Sequence, residues 1–175
     1  MLSVESVFAA LRDVNDPEMP INIVDLGIVE AVRLARDAEI EIDVTPTFVG
    51  CPALPVIESD IRRRVAALPG VSRVRVSFVY DPPWSVDRIS AAGRESLARV
   101  GITVPQPGSA CSSGALPDER RLVPLSIGGD PRDAVACPLC GSADTSLESA
   151  FGPTRCKMIY YCERCRNQFE HMKRV

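Results

Sequence analysis

The sequence predicts an α+β fold, a small three-stranded sheet with helices on one face, followed by a tail too short to build a core of its own. Three observations carry that expectation. Apolar residues recur at helical and then at alternating spacing through roughly the first hundred positions. Pro, Gly and Ser then take nearly half of the positions from 105 to 131, and five of the 7 cysteines crowd into the C-terminal tail.

The elements follow in order. Val4, Val7, Phe8 and Leu11 fall on one helical face behind Ser3, a natural cap. Asn15-Asp16-Pro17-Glu18-Met19-Pro20 breaks the helix, because two prolines remove amide donors and push their predecessors to extended backbone. A strand is expected from Ile28 to Leu34 and a turn at Arg36-Asp37. Ile40, Ile42 and Val44 then alternate with Glu39, Glu41 and Asp43, which makes a hairpin with one solvated face. After Thr45-Pro46-Thr47-Phe48-Val49-Gly50-Cys51-Pro52, the residues Leu54, Ile57, Ile61, Val65 and Leu68 repeat at helical spacing, with Pro52 opening the helix and Pro69-Gly70 closing it. Val74, Val76 and Phe78 mark a third strand, Asp81-Pro82-Pro83-Trp84 a rigid turn, and Ser85 to Val100 a last helix. The expected divisions are a domain over 1–103, a Pro/Gly/Ser linker over 104–134 and a small module over 135–175.

At 175 residues the chain excludes a large multidomain enzyme, and 46% apolar against 25% charged residues excludes a disordered one. No apolar run approaches a bilayer span and the first residues lack the pattern of a signal peptide, so a cytoplasmic protein without membrane partners is expected. A net charge of −3 supplies no basic field to collect nucleic acid. The single histidine, His171, argues against histidine-based acid/base or triad chemistry and is expected to pack or face solvent rather than to bind metal. What chemistry there is belongs to thiols.

Cys137-Pro-Leu-Cys140 and Cys162-Glu-Arg-Cys165 are two knuckles separated by 21 residues, the pattern of a four-thiolate zinc ribbon. Two residues between thiolates let both sulfurs approach one ion from a single tight turn, and metal would staple a tail that cannot fold alone. An iron or iron-sulfur site and a dithiol redox pair use the same residues and stay open as alternatives. Four thiolates around one ion leave no open position, so such a site is structural. Cys156 is surplus, either a small buried residue on a ribbon strand or a substitute ligand or reactive thiol.

In the first domain the suggestive residue is Cys51. If Pro52 opens the helix, the thiol sits near a helix N-terminus, where the dipole and free amides predict a lowered pKa. A structural cysteine at a tight turn is the competing reading. Asp16, Glu18 and Asp25 are residues more often found as caps and turn formers than as acids or ligands.

The run from Asp16 to Val29, with Asp25-Leu26-Gly27, followed by Thr45-Pro46-Thr47 and Gly50-Cys51-Pro52, resembles the domain of SufT and of the cytosolic iron-sulfur targeting proteins. The ending from Phe151-Gly-Pro-Thr-Arg-Cys156-Lys157 through Cys162 and Cys165 to Phe169-Glu170 resembles the zinc-ribbon tail of the PaaD family, and Asp81-Pro82-Pro83-Trp84 joins the two likenesses. The resemblance implies a non-catalytic maturation factor of the phenylacetyl-CoA ring 1,2-epoxidase system of phenylacetate degradation. It would assist insertion of iron or an iron-sulfur cluster into the reductase component. It further implies Cys51 as a transient iron or cluster ligand, with Asp16, Glu18, Asp25 and Thr47 lining it, structural zinc on Cys137, Cys140, Cys162 and Cys165, and no assigned role for Cys156.

One thiolate cannot hold a cluster, so a second subunit, Cys111, a ribbon thiol or a client must complete the coordination. The reductase and other epoxidase subunits are the expected partners, with a homodimer or a weak client complex as the assembly. The alternative is a docking subunit that never touches iron. A thiol enzyme is weaker, because no histidine is at hand to activate Cys51.

Overall fold

The computed structural model describes residues 2–106 and 135–174. Ser3 caps α1 (Val4–Leu11), accepting from the Ser6 amide while the Ser6 hydroxyl satisfies the backbone of Ser3. The chain then forms β1 (Val29–Leu34), a 3-10 turn over Arg36–Ala38, β2 (Glu39–Val44), α2 (Leu54–Ala66) and β3 (Arg73–Phe78). β1 pairs antiparallel with β2, and β2 pairs parallel with β3 after the crossover through α2.

Strict alternation on β2 buries Ile40, Ile42 and Val44, while Glu39, Glu41 and Asp43 meet Arg33 of β1 and Arg75 of β3 on the outer face. The inner face closes against Val7 and Leu11 of α1 and Ile57, Ile61 and Val65 of α2. This is the α+β domain with helices on one face that the periodicity predicts.

Two boundaries differ from the sequence expectation. The second helix opens at Leu54, with Ala53 at its cap and Pro55, not Pro52, inside the first turn. Pro52 lies in the preceding turn, where the Leu54 amide still reaches the Cys51 carbonyl at 3.4 Å. The last helix of the domain is broken as well. Val86–Arg88 forms a 3-10 turn, and α3 (Ala91–Arg99) begins afresh because Ser90 takes extended backbone and caps the Gly93 amide at 3.0 Å.

The largest departure concerns the division of the chain. β4 (Ile102–Thr103) pairs with β7 (Gln168–Met172), Ile102 opposite Glu170 and Thr103 opposite His171, in a sheet of order β4-β7-β6-β5 with β5 (Thr145–Ser149) and β6 (Lys157–Cys162). The two halves therefore share a sheet, and the expected division after residue 103 falls at the end of β4. The linker expectation lies almost wholly on residues 107–134, outside the described residues, as does Cys111. Arg94 fastens the segment after β4 to the 3-10 turn by donating to the Pro105 and Val86 carbonyls, and Arg174 reaches across the seam to donate to the Gln106 carbonyl. Met172 is fully buried in the core of the first domain, and Cys156 joins that core too.

Trp84 gives the Asp81–Trp84 turn its purpose, donating its indole N–H to the Leu26 carbonyl at 3.0 Å and so tying the turn to the Asp25-Leu26-Gly27 segment. Gly27 itself has φ 74°, and a Cβ there would stand 2.4 Å from the Arg88 carbonyl oxygen. Gly27→Ala is expected to cost on the order of 2 kcal/mol or more in chemical denaturation, whereas Gly70→Ala, which meets no neighbour, carries only the backbone penalty.

Candidate functional site

Three segments meet where the ribbon is seated on the first domain. The loop after α1 is a closed turn in which Asp16 accepts the Glu18 amide at 2.8 Å and the Asp16 amide reaches the Ile21 carbonyl at 2.9 Å. This Asx turn buries the Asp16 side chain to 9% exposure and lines an open, shallow hollow from Asn15 to Pro20. The loop before α2 turns at Gly50, φ 80°, with the Cys51 amide on the Phe48 carbonyl, and leaves Cys51 half-buried. The third segment is Phe151–Lys157, where Gly152 packs so tightly on the Lys157 backbone that a Cβ would come within 2.8 Å of it. That turn lays the Arg155 guanidinium 5.5 Å above the Phe48 ring and buries Cys156.

The electrostatics run against the lowered thiol pKa expected for Cys51. Burial pushes the thiol up, and the charges of Asp16, Glu18 and Cys156 push it the same way. Only the Ala53 amide, at the head of α2, opposes them. The helix terminus does act on the sulfur, but it is outweighed. Burial likewise raises Asp16, against hydrogen bonding from the Glu18 amide and the positive charge of Lys157. Cys156 is raised by burial and by Asp16. Its Sγ lies 3.1 Å from the Thr154 hydroxyl. Cys51, Cys156, Asp16 and Lys157 thus form one interacting set, with Lys157 also paired to Glu170 at 2.6 Å.

A raised pKa makes Cys51 a slow nucleophile at neutral pH. Its alkylation by iodoacetamide at pH 7 is expected to be slower than that of a free cysteine, accelerating as pH rises. Asp16→Asn, which removes one repelling charge, should speed it. Mass spectrometry of the alkylated peptide reads both effects, and a rate at pH 7 above that of free cysteine would contradict this account.

Of the expected lining residues, Asp16 and Glu18 do act on Cys51, and Thr47 is buried on the same loop. Asp25 has a different setting. Its carboxylate accepts from the Ser90 hydroxyl at 2.7 Å and the Asn22 amide at 2.6 Å, and these bonds lower its pKa, which ties the Asp25 loop to the head of α3. His171 packs edge-on to Tyr160 and bonds Thr103 through Nδ1 at 2.8 Å, and burial takes its pKa down to about 4. It is a neutral packing residue at the seam. The contribution that sequence reasoning leaves unassigned is Cys156, a ribbon residue that joins the core against which Cys51 packs only through the fold.

The four ribbon thiols stand together on the other side of the tail. Their sulfurs all lie within 4.8 Å of one another, with Cys137 3.7 Å from Cys165 and Cys140 3.6 Å from Cys162. Four thiolates at tetrahedral metal distance would have edges of about 3.8 Å, so the set fits one ion with little movement. Hydrogen bonding from the Asn167 side chain and then from the neighbouring thiols, against desolvation, brings Cys165 down to about 6.

Residues 5–78 match the family described as iron-sulfur cluster assembly protein, and residues 124–173 match the PaaD zinc beta ribbon domain. Across 97% of its length the chain is 34% identical to one component of the Escherichia coli (strain K12) enzyme named "Putative 1,2-phenylacetyl-CoA epoxidase", covering 92% of that component. It is 37% identical over 53% of its length to the Fe-S protein maturation auxiliary factor YitW of Bacillus subtilis (strain 168), covering 91% of that protein. Its first domain is similar to a crystal structure of a domain of unknown function, DUF59, from Bacillus anthracis. That likeness has a TM-score of 0.51 and 34% identity, and it covers 53% of this chain and 89% of the other.

Proposed function

The chain belongs to the PaaD family of 1,2-phenylacetyl-CoA epoxidase components, and from that premise we propose that it is a maturation factor which hands iron or an iron-sulfur cluster to the reductase component of the epoxidase. The coarser part, an accessory role tied to iron-sulfur proteins, rests on relatives named as maturation factors and carriers rather than as catalysts. The finer part rests chiefly on one observation. Cys51 is half-buried on a turn in the half that matches the assembly family, where burial and the charges of Asp16 and Glu18 favour the neutral thiol.

In this reading Cys51 is the ligand that takes and releases iron. Asp16, Glu18 and Thr47 line it, and Asp25 holds the neighbouring loop. Cys137, Cys140, Cys162 and Cys165 hold zinc, which as a closed four-thiolate site supplies folding free energy and no chemistry. The ribbon then serves as rigid support and docking surface for the client. The partners are the reductase and its fellow subunits, in the cytoplasm, with a homodimer or a transient client complex as the working assembly.

The test is the iron and acid-labile sulfide content of the reductase, purified from cells that co-express it with the intact chain, with Cys51→Ser, or with neither. The intact chain should raise the content and Cys51→Ser should not. Equal content with the two forms would favour a docking subunit that does not handle iron.

A further inference from the structure

A single thiolate leaves iron three ligands short, and the fold brings a second thiol into the cluster against which the first packs. Cys156 lies in the same buried cluster against which Cys51 packs, although 105 positions separate them in sequence. The turn that presents it is built for that approach. Gly152 permits the close pass over Lys157, the Gly152 amide bonds the Lys157 carbonyl at 3.0 Å, the Lys173 amide bonds the Cys156 carbonyl at 2.8 Å, and Arg155 clamps onto Phe48, three residues before Cys51. We propose that Cys51 and Cys156, one from each half of the chain, form a two-thiolate site for iron or an iron-sulfur cluster at the seam, which rests on the maturation-factor reading above.

The charge balance favours a cation there. With both thiols ionised, Lys157, already paired to Glu170 and acting on Asp16, and the nearby Arg155 would face two thiolates together with Asp16 and Glu18. The excess of negative charge favours a soft cation, which thiolates prefer.

The site differs in kind from the ribbon. Among the described residues only the ribbon's cysteines bring three or more donors within 4.8 Å of one another, so an ion held by Cys51 and Cys156 would keep its remaining positions open. A closed site keeps its metal, whereas an open one can pass it on. Loading is a ligand substitution in which two thiols lose two protons to solvent as two metal–sulfur bonds form. Transfer reverses it. Each incoming client thiol gives its proton to a departing cysteine as its own sulfur takes the coordination position, and no electron moves. Glu18 also borders an open groove along the seam, lined by Pro20, Ile102, Lys157, Phe169 and Glu170, which would give a client access.

The experiment uses the full chain, zinc-loaded and free of oxygen, as wild type, Cys51→Ser, Cys156→Ala and Cys111→Ser. Two probes are applied. Phenylarsine oxide condenses with two adjacent thiols and releases water, and is read by intact mass; ferrous iron with sulfide is read by bound iron after gel filtration. Wild type and Cys111→Ser should each take a single arsenical and bind iron, while Cys51→Ser and Cys156→Ala should lose both. Unchanged zinc content and thermal midpoint certify the fold of each variant, and small, apolar alanine suits the buried Cys156 position. Retention of the arsenical and iron by Cys156→Ala would overturn the pair and leave the maturation reading standing. A wild-type chain that takes neither probe would also overturn it. Failure of the maturation reading is seen separately, as reductase cluster content that does not depend on Cys51.

Discussion

Stripping the metal from the four ribbon thiols, by chelation or by Cys162→Ala, is expected to unfold residues 135–174 and to loosen the first domain with them. The apolar cluster of the ribbon consists of Cys137, Tyr160, Cys162 and Phe169, with four partly buried neighbours, and two of its four buried members belong to the four-thiol set that fits a metal. So small a core cannot offset the chain entropy of its strands, and on the proposed reading metal binding supplies the difference, of order 10 to 16 kcal/mol in comparable four-ligand modules. The damage should spread because β7 carries the pairing with β4 while Met172 and Cys156 sit in the core of the first domain. Amide hydrogen exchange checks both parts. Protection should vanish across β5, β6 and β7, fall at Ile102–Thr103, and return when zinc is restored. Retained protection after verified metal removal would show that the ribbon folds without it.

The second large effect belongs to the buried ion pair at the seam. The Lys157 side chain is 4% exposed and Glu170 26% exposed, with Nζ and Oε2 2.6 Å apart. Glu170→Ala leaves a buried ammonium with Asp16 as its remaining carboxylate counter-charge, and should cost about 3 kcal/mol. Lys157→Met removes the charge with the stem volume kept, and should cost far less. Adding Lys157→Met to Glu170→Ala should recover much of the loss. Urea denaturation of the zinc-loaded proteins gives the three values, and a Glu170→Ala cost below that of Lys157→Met would contradict the assignment.

Much of this architecture is legible in the sequence because the signals are local. Alternation from Glu39 to Val44 and helical spacing from Leu54 to Leu68 come from residues that see one core, and the spacing of the two cysteine knuckles reports a geometry that each knuckle forms by itself. What escapes is set by distant neighbours. The start of α2 is displaced because two prolines, Pro52 and Pro55, compete for the first turn, and only the fold shows which one enters it. The sign of the Cys51 shift is missed because the helix terminus is visible nearby in sequence, while Asp16, Glu18 and the burial come from elsewhere. A two-residue strand such as β4 has no periodicity to read, and its partner is nearly 70 positions away. Asp25 shares a motif with the expected lining residues, yet its partner Ser90 gives it the task of fixing α3. Cys156 is the same case, since nothing adjacent in sequence tells that it joins the core of the first domain.

The measurement that bears most directly on the maturation role is transfer between purified proteins. The full chain is loaded with ferrous iron and sulfide, freed of excess reagent, and mixed without oxygen with the cluster-free reductase component in the presence of a chelator that captures released iron. The account predicts that the reductase acquires iron, sulfide and electron-transfer activity from the loaded chain faster than from the same iron and sulfide in solution, and that Cys51→Ser abolishes the gain. A reductase that gains nothing from the loaded chain, or gains as much from Cys51→Ser, would contradict it.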